Sequence, residues 1–250
     1  MDVDFVSSII KFNSQTAGRD KLFRLFQYGS KFVWWHLQSK GLYQDLIKTL
    51  KSLESSISTT RKLLRIGKSI DFIHSALKTI HISNAVLRLT LTLSKINQAL
   101  YLMFDHVIWA ARAGLINTDI PRWVRLSSKF WLFSIILNLT RDLYDIWRAL
   151  MHEIKVRNSQ ASKSHYMNGD SQYAGKTKHV RTDREVVIKC VKENVPIFLD
   201  FVKNVCDVVL PMSALGHINA SPGFQGFVGV VSSLIGIATI WDPLLRLVPS

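Results

Sequence analysis

The chain has 250 residues, 48% of them hydrophobic, with 32 Lys and Arg against 18 Asp and Glu, a formal charge of +14. That content excludes a disordered chain, which combines high charge with low hydrophobicity. With 20% charged residues, little acid to offset the base and a mean hydropathy of +0.14, the composition departs from an ordinary soluble domain and points towards an anionic membrane surface.

Helical periodicity dominates, and no long alternating strand pattern is present. The expected fold class is all-α, a helical membrane protein with amphipathic helices and a C-terminal transmembrane helix. Helices are expected over about 4–13 and, rich in aromatics, about 19–37. After a break at Gly41 a more polar helix follows to about residue 58. Ser58, Thr59 and Thr60 supply cap chemistry for a basic helix over 61–80. Ser83 is read as the cap of a long helix ending near Gly114. Thr118, Asp119 and Pro121 restart the pattern, which continues to about Val156. Three regions are expected: 1–156, amphipathic and membrane-associated; 157–184, a polar linker; and 185–250, helical with a membrane anchor at about 223–241. A kink is expected at Pro196, and Pro222 and Gly223 open the last segment.

The roughly 19 uncharged residues of 223–241, at about 1.5 Å rise each, nearly match a hydrocarbon core of about 30 Å. Gly226, Gly229, Ser233 and Gly236 recur there on one face, the spacing that lets membrane helices approach closely. The stretch 96–111 is a weaker span because it contains Asp105, a costly charge at mid-membrane without a partner.

In the 61–80 segment, Leu63, Ile66, Gly67, Ile70, Ile73, Leu77 and Ile80 share one face at 100° per residue. Arg61, Arg65 and Lys68 lie nearly opposite, with Lys62 and Lys78 near the boundaries, where long stems reach lipid headgroups. This is the pattern of a helix lying flat in a bilayer interface, its apolar residues inserted and its cations on headgroups. Phe72 and Leu64 fall off the stripe, and a second reading, that the helix covers a bundle core, stays open.

No phosphate loop, dinucleotide fingerprint, nucleophile elbow or metalloprotease motif occurs, so neither an enzyme nor a bound cofactor is expected. His74 and His81 complete no metal site. Cys190 and Cys206, the two cysteines, are read as small buried side chains in a reducing compartment. The N-terminus is acidic where a signal peptide is basic, so insertion by another address is expected. Nucleic acid is not an expected partner, because the aromatics sit in apolar helical stretches.

Several ordered stretches together resemble the peroxin-11 family of peroxisomal membrane proteins: 18–22, Leu53-Glu54-Ser55-Ser56 followed by 61–67, Asp105 with Trp109, Arg141-Asp142-Leu143-Tyr144 with Ile146, 202–207, Pro222-Gly223, Val231-Ser232-Ser233 and Pro243. Lys68 stands where the family often has Asn. The resemblance implies an integral peroxisomal membrane protein, both termini cytosolic, that elongates and tubulates the organelle before fission. It also implies self-association into a homo-oligomer and recruitment of tail-anchored fission adaptors and a dynamin-like GTPase. Cytosolic termini require a second span, for which 87–115 is the best candidate. The alternative function is a small-solute pore, for which Asp105, His106 and Asn138 would have to line one cavity.

Overall fold

A computed structural model of the chain describes residues 3–41, 43–167 and 182–247. The order is α1 (Val3–Ser14), α2 (Thr16–Ser39), α3 (Gln44–Leu64), α4 (Lys68–Thr79), α5 (Ala85–Arg112), α6 (Ile120–Met167), α7 (Asp183–Glu193), α8 (Val195–Ala214) and α9 (Pro222–Trp241), then a 3₁₀ turn at Pro243–Leu245. No strand occurs among the described residues.

Local chemistry sets most of these boundaries. The Asn84 side chain, rather than Ser83, accepts from the backbone N–H groups of Val86 and Leu87 to open α5. Thr182 and Glu185 form a reciprocal capping box at the start of α7, and Ser221 caps α9 ahead of Pro222. The chain breaks between α7 and α8 at Asn194, so Pro196 sits in the first turn of α8, where its missing N–H costs nothing. Helix α6 continues to Met167, inside the segment expected to be linker. Residues 168–181 of that segment lie outside the described residues.

Helix α2 packs between α3 and α9, α5 between α4 and α6, and α8 against α6 and α9. The small residues of α9 face α2. Gly223, Gly226, Gly229 and Gly236 lie against Trp35, Phe32, Tyr28 and Lys21 in turn, so the two helices run antiparallel. A Cβ at Gly226 would come within 2.7 Å of the Phe32 backbone nitrogen, and one at Gly229 within 2.2 Å of the Tyr28 ring. Ser233 is fully buried and donates to the Gly229 carbonyl at 2.6 Å. The stripe that marks close helix approach is therefore filled by α2 of the same chain.

Cys190 is buried and Cys206 half-buried, both as free thiols. On α6 and α7, the Lys189 ammonium donates to Glu153 at 2.8 Å and holds that carboxyl below its ordinary value.

Gly229→Ala is expected to destabilise the fold by about 1–3 kcal/mol through overpacking against Tyr28. Gly29→Ala, at a helical position where an added Cβ meets nothing within 4 Å, is expected to be neutral or stabilising. Thermal unfolding of both variants in mild detergent separates the two.

Candidate membrane interface and charged interior

The six apolar residues of the predicted stripe all lie on the outside. Leu63, Ile66, Ile70, Ile73, Leu77 and Ile80 are between 46% and 69% exposed. Too much of each is open for the stripe to be covering a core. The helix is not continuous, however. Gly67, at φ +85°, lets the backbone end α3 at Leu64 and restart at Lys68 as α4. The opposite face of α4 packs inward through buried Ala76 and Thr79. Phe72 and Leu64, the residues that fit the stripe poorly, are half-buried.

The cations depart from expectation. Arg61, Lys62 and Arg65 do not stand at headgroup level but turn into the bundle, because carboxylates on neighbouring helices wait there. Arg61 donates to Asp20 at 3.1 Å and to Gln27 at 2.7 Å. Lys62 donates to Asp105 at 2.5 Å, and Arg65 to the other oxygen of Asp105 at 2.7 Å and to the Tyr101 hydroxyl at 2.8 Å. Lys68 is half-buried, which leaves Lys78 as the exposed ammonium of α4.

This polar interior extends through the bundle. Arg24 of α2 pairs with Asp207 of α8, and Asp207 also accepts from Ser232 of α9 at 2.5 Å. Arg141 of α6 joins Asp142, at 2.5 Å, and Asp200 of α8, while Asn204 donates to Asp142 at 2.7 Å. Ser94 of α5 donates to Asn138 of α6 at 2.6 Å. Asp105 and Asp142 are at most 2% exposed, while Ile70, Phe26 and Leu89 are 60% or more exposed. Buried charges beside exposed large apolar side chains depart from the pattern of a water-soluble bundle. A side chain facing hydrocarbon loses nothing by being apolar, and a charge facing hydrocarbon needs a partner.

Among the described residues one helix, α9, is long and apolar enough to cross a membrane. Phe5 and Phe12 of α1 pack on Trp241 at its end, with ring centroids 6.1 and 5.8 Å away. Phe5, Val6, Ile9 and Ile10 leave α1 apolar on its exposed side, a feature the sequence reading passed over because the run is short. Of Asp105, His106 and Asn138, Asn138 alone lines the central cavity. Asp105 is held by Lys62 and Arg65, and His106 Nε2 lies 3.1 Å from the Arg65 carbonyl. No three His, Cys, Asp or Glu side chains converge to hold a metal among the described residues.

Asp207→Asn strips the buried Arg24 of its counter-charge and is expected to cost about 3–5 kcal/mol. Asp45→Asn, which removes the exposed pair with Lys48, is expected to cost less than about 1 kcal/mol. Denaturant unfolding in detergent checks both.

A family model described as Peroxisomal biogenesis factor 11 matches residues 6–241. The chain is 35% identical to Peroxisomal membrane protein 11B of Homo sapiens, over 96% of this chain and 98% of that one. It is 32% identical to Peroxisomal membrane protein 11A of Rattus norvegicus, over 97% and 99%. To Peroxisomal membrane protein PMP30B of Candida boidinii it is 29% identical, over 95% and 94%. No solved structure matches.

Proposed function

Since this chain belongs to the Peroxisomal biogenesis factor 11 family, we propose that it is an integral protein of the peroxisomal membrane that elongates and tubulates that membrane ahead of fission. The observation that carries the reading is the exposed apolar stripe of Leu63, Ile66, Ile70, Ile73, Leu77 and Ile80 on a bundle whose opposite face is pinned by ion pairs. Such a ridge enters one leaflet without unfolding anything behind it, and wedging volume into one leaflet favours curvature.

Magnitudes indicate which force drives insertion. Full burial of a Leu or Ile side chain contributes about 1.5–3 kcal/mol, so six half-inserted side chains contribute several kcal/mol. One exposed lysine near an anionic surface contributes about 1 kcal/mol. With Arg61, Lys62 and Arg65 engaged inside, insertion on this face is chiefly apolar. The excess of base over the whole chain draws it to an anionic phospholipid leaflet.

Anchoring falls to α9, both termini reach the cytosolic side only with a second crossing by the 87–115 stretch, most of it α5, and curvature requires many copies acting together as a homo-oligomer. Because the small-residue stripe of α9 is filled by α2, self-association uses other exposed apolar faces. In this scheme tail-anchored fission adaptors and a dynamin-like GTPase sever the tubule, the chain itself being no enzyme. The pore reading draws less support, because Asp105 is fully engaged by two cations.

The double variant Ile70→Glu, Ile73→Glu places two charges on the stripe and is expected to abolish tubulation of anionic liposomes while leaving peroxisomal targeting intact. Tubulation at the unmodified level by that variant sinks the mechanism.

A further inference from the structure

A polar cavity of about 700 Å³ lies within the bundle, walled by α2, α3, α5, α6, α8 and α9, with Phe72 of α4 also lining it. Seven of the residues lining it are cationic and three are carboxylates. The carboxylates are already spoken for: Asp20 holds Arg61, Asp207 holds Arg24, and Asp200 holds Lys203. Asp105, just behind the wall, takes up Lys62 and Arg65. Two cations are left over. Lys21 projects from α2 towards Gly236 of α9, and Arg246 stands at the rim. Neither side chain makes a hydrogen bond or ion pair among the described residues.

A surplus positive charge inside a protein is expensive until an anion meets it. Burial and the neighbouring Arg24 guanidinium push the Lys21 ammonium down to about 7, against the raising influence of Asp207. An anion placed beside it reverses that shift and gains the full charge. The space far exceeds a chloride ion and lies in the range of cavities that hold small organic ligands. Guanidinium and ammonium donors ringed about one space suit the several oxygens of a phosphate group, which accept charge-assisted hydrogen bonds from both.

We propose that this cavity is a binding site for a phosphate-bearing anion, with Lys21 as its principal unshared donor. The site is separate from the α4 stripe, so it stands or falls independently of membrane remodelling. The phosphate comes either from a soluble compound or from the headgroup of an anionic phospholipid reaching in between helices.

The experiment uses the full chain purified in a neutral detergent with no phosphate in the buffer. In the first arm, pyrophosphate is titrated at constant ionic strength and the thermal midpoint is followed. In the second, the chain is reconstituted in phosphatidylcholine doped with phosphatidylinositol and re-extracted, and retained phosphatidylinositol is measured by mass spectrometry. A rise in midpoint assigns a soluble source, retained phosphatidylinositol a lipid source, and either supports the site. Lys21→Gln, which removes a cation without stranding a partner, is expected to weaken binding about tenfold, or about 1.4 kcal/mol. Lys21→Arg is expected to restore it, and Lys48→Gln, on the exposed surface of α3 and away from the cavity, to leave it unchanged. The proposal is overturned if neither probe binds the unmodified chain, if Lys21→Gln binds as well as the unmodified chain, or if Lys48→Gln loses as much as Lys21→Gln.

Discussion

Ion pairs withdrawn from solvent govern this molecule. Arg24 with Asp207, Arg61 with Asp20 and Arg141 with Asp200 each join two different helices, and Arg65, in the turn after α3, joins that turn to Asp105 of α5. A charge in a low-dielectric interior is tolerated only with a partner in good geometry, so each pair restricts which helices stand side by side. Some apolar side chains, Leu87, Leu102 and Ile108 among them, are buried with the charges, while many others, Ile70, Phe26 and Leu89 among them, occupy the outside. In water that arrangement exposes a large greasy surface; against lipid the same surface has no such penalty, and the interior charges hold the helices together where apolar packing gives no preference between protein and lipid.

The bend at Gly67 follows from the same constraint. Arg61, Lys62 and Arg65 must reach Asp20 and Asp105, while Leu63, Ile66 and Ile70 point away from the bundle. A glycine in the left-handed region ends one helix and begins the next, so α4 lays its inner face on α5 through Ala76 and Thr79 and keeps its ridge outside. The cations and the ridge then do different work: one clamps, the other is free to meet a surface.

Much of the fold was legible from local signals. Periodicity marked the helices, Pro222 and Gly223 marked the start of α9, and its uncharged length marked a possible span. The apolar stripe on 61–80 was legible as a stripe, because a face repeats within a few turns. Its surroundings were not. Nothing near Arg61 in sequence says that Asp20 lies opposite, and Arg24 finds Asp207 from 183 positions away. A basic face was therefore read as meeting lipid headgroups, when Arg61, Lys62 and Arg65 turn inward to buried acids. Two hints were available: Phe72 fell among the basic residues and Leu64 off the stripe, as inward-facing apolar side chains would, and Asp105 lay in an apolar helix and needed a partner from elsewhere. Likewise, the small residues of α9 announced a close neighbour without identifying it as α2.

The antiparallel union of α2 with α9 also orders events in time. Synthesis delivers Tyr28, Phe32 and Arg24 long before Gly229, Gly226 and Asp207 exist, so the groove they fill has no other wall until the last helix emerges from the ribosome. Contacts so distant along the chain close slowly and leave sticky surface uncovered meanwhile. The α2 face is therefore covered only once α9 has been made.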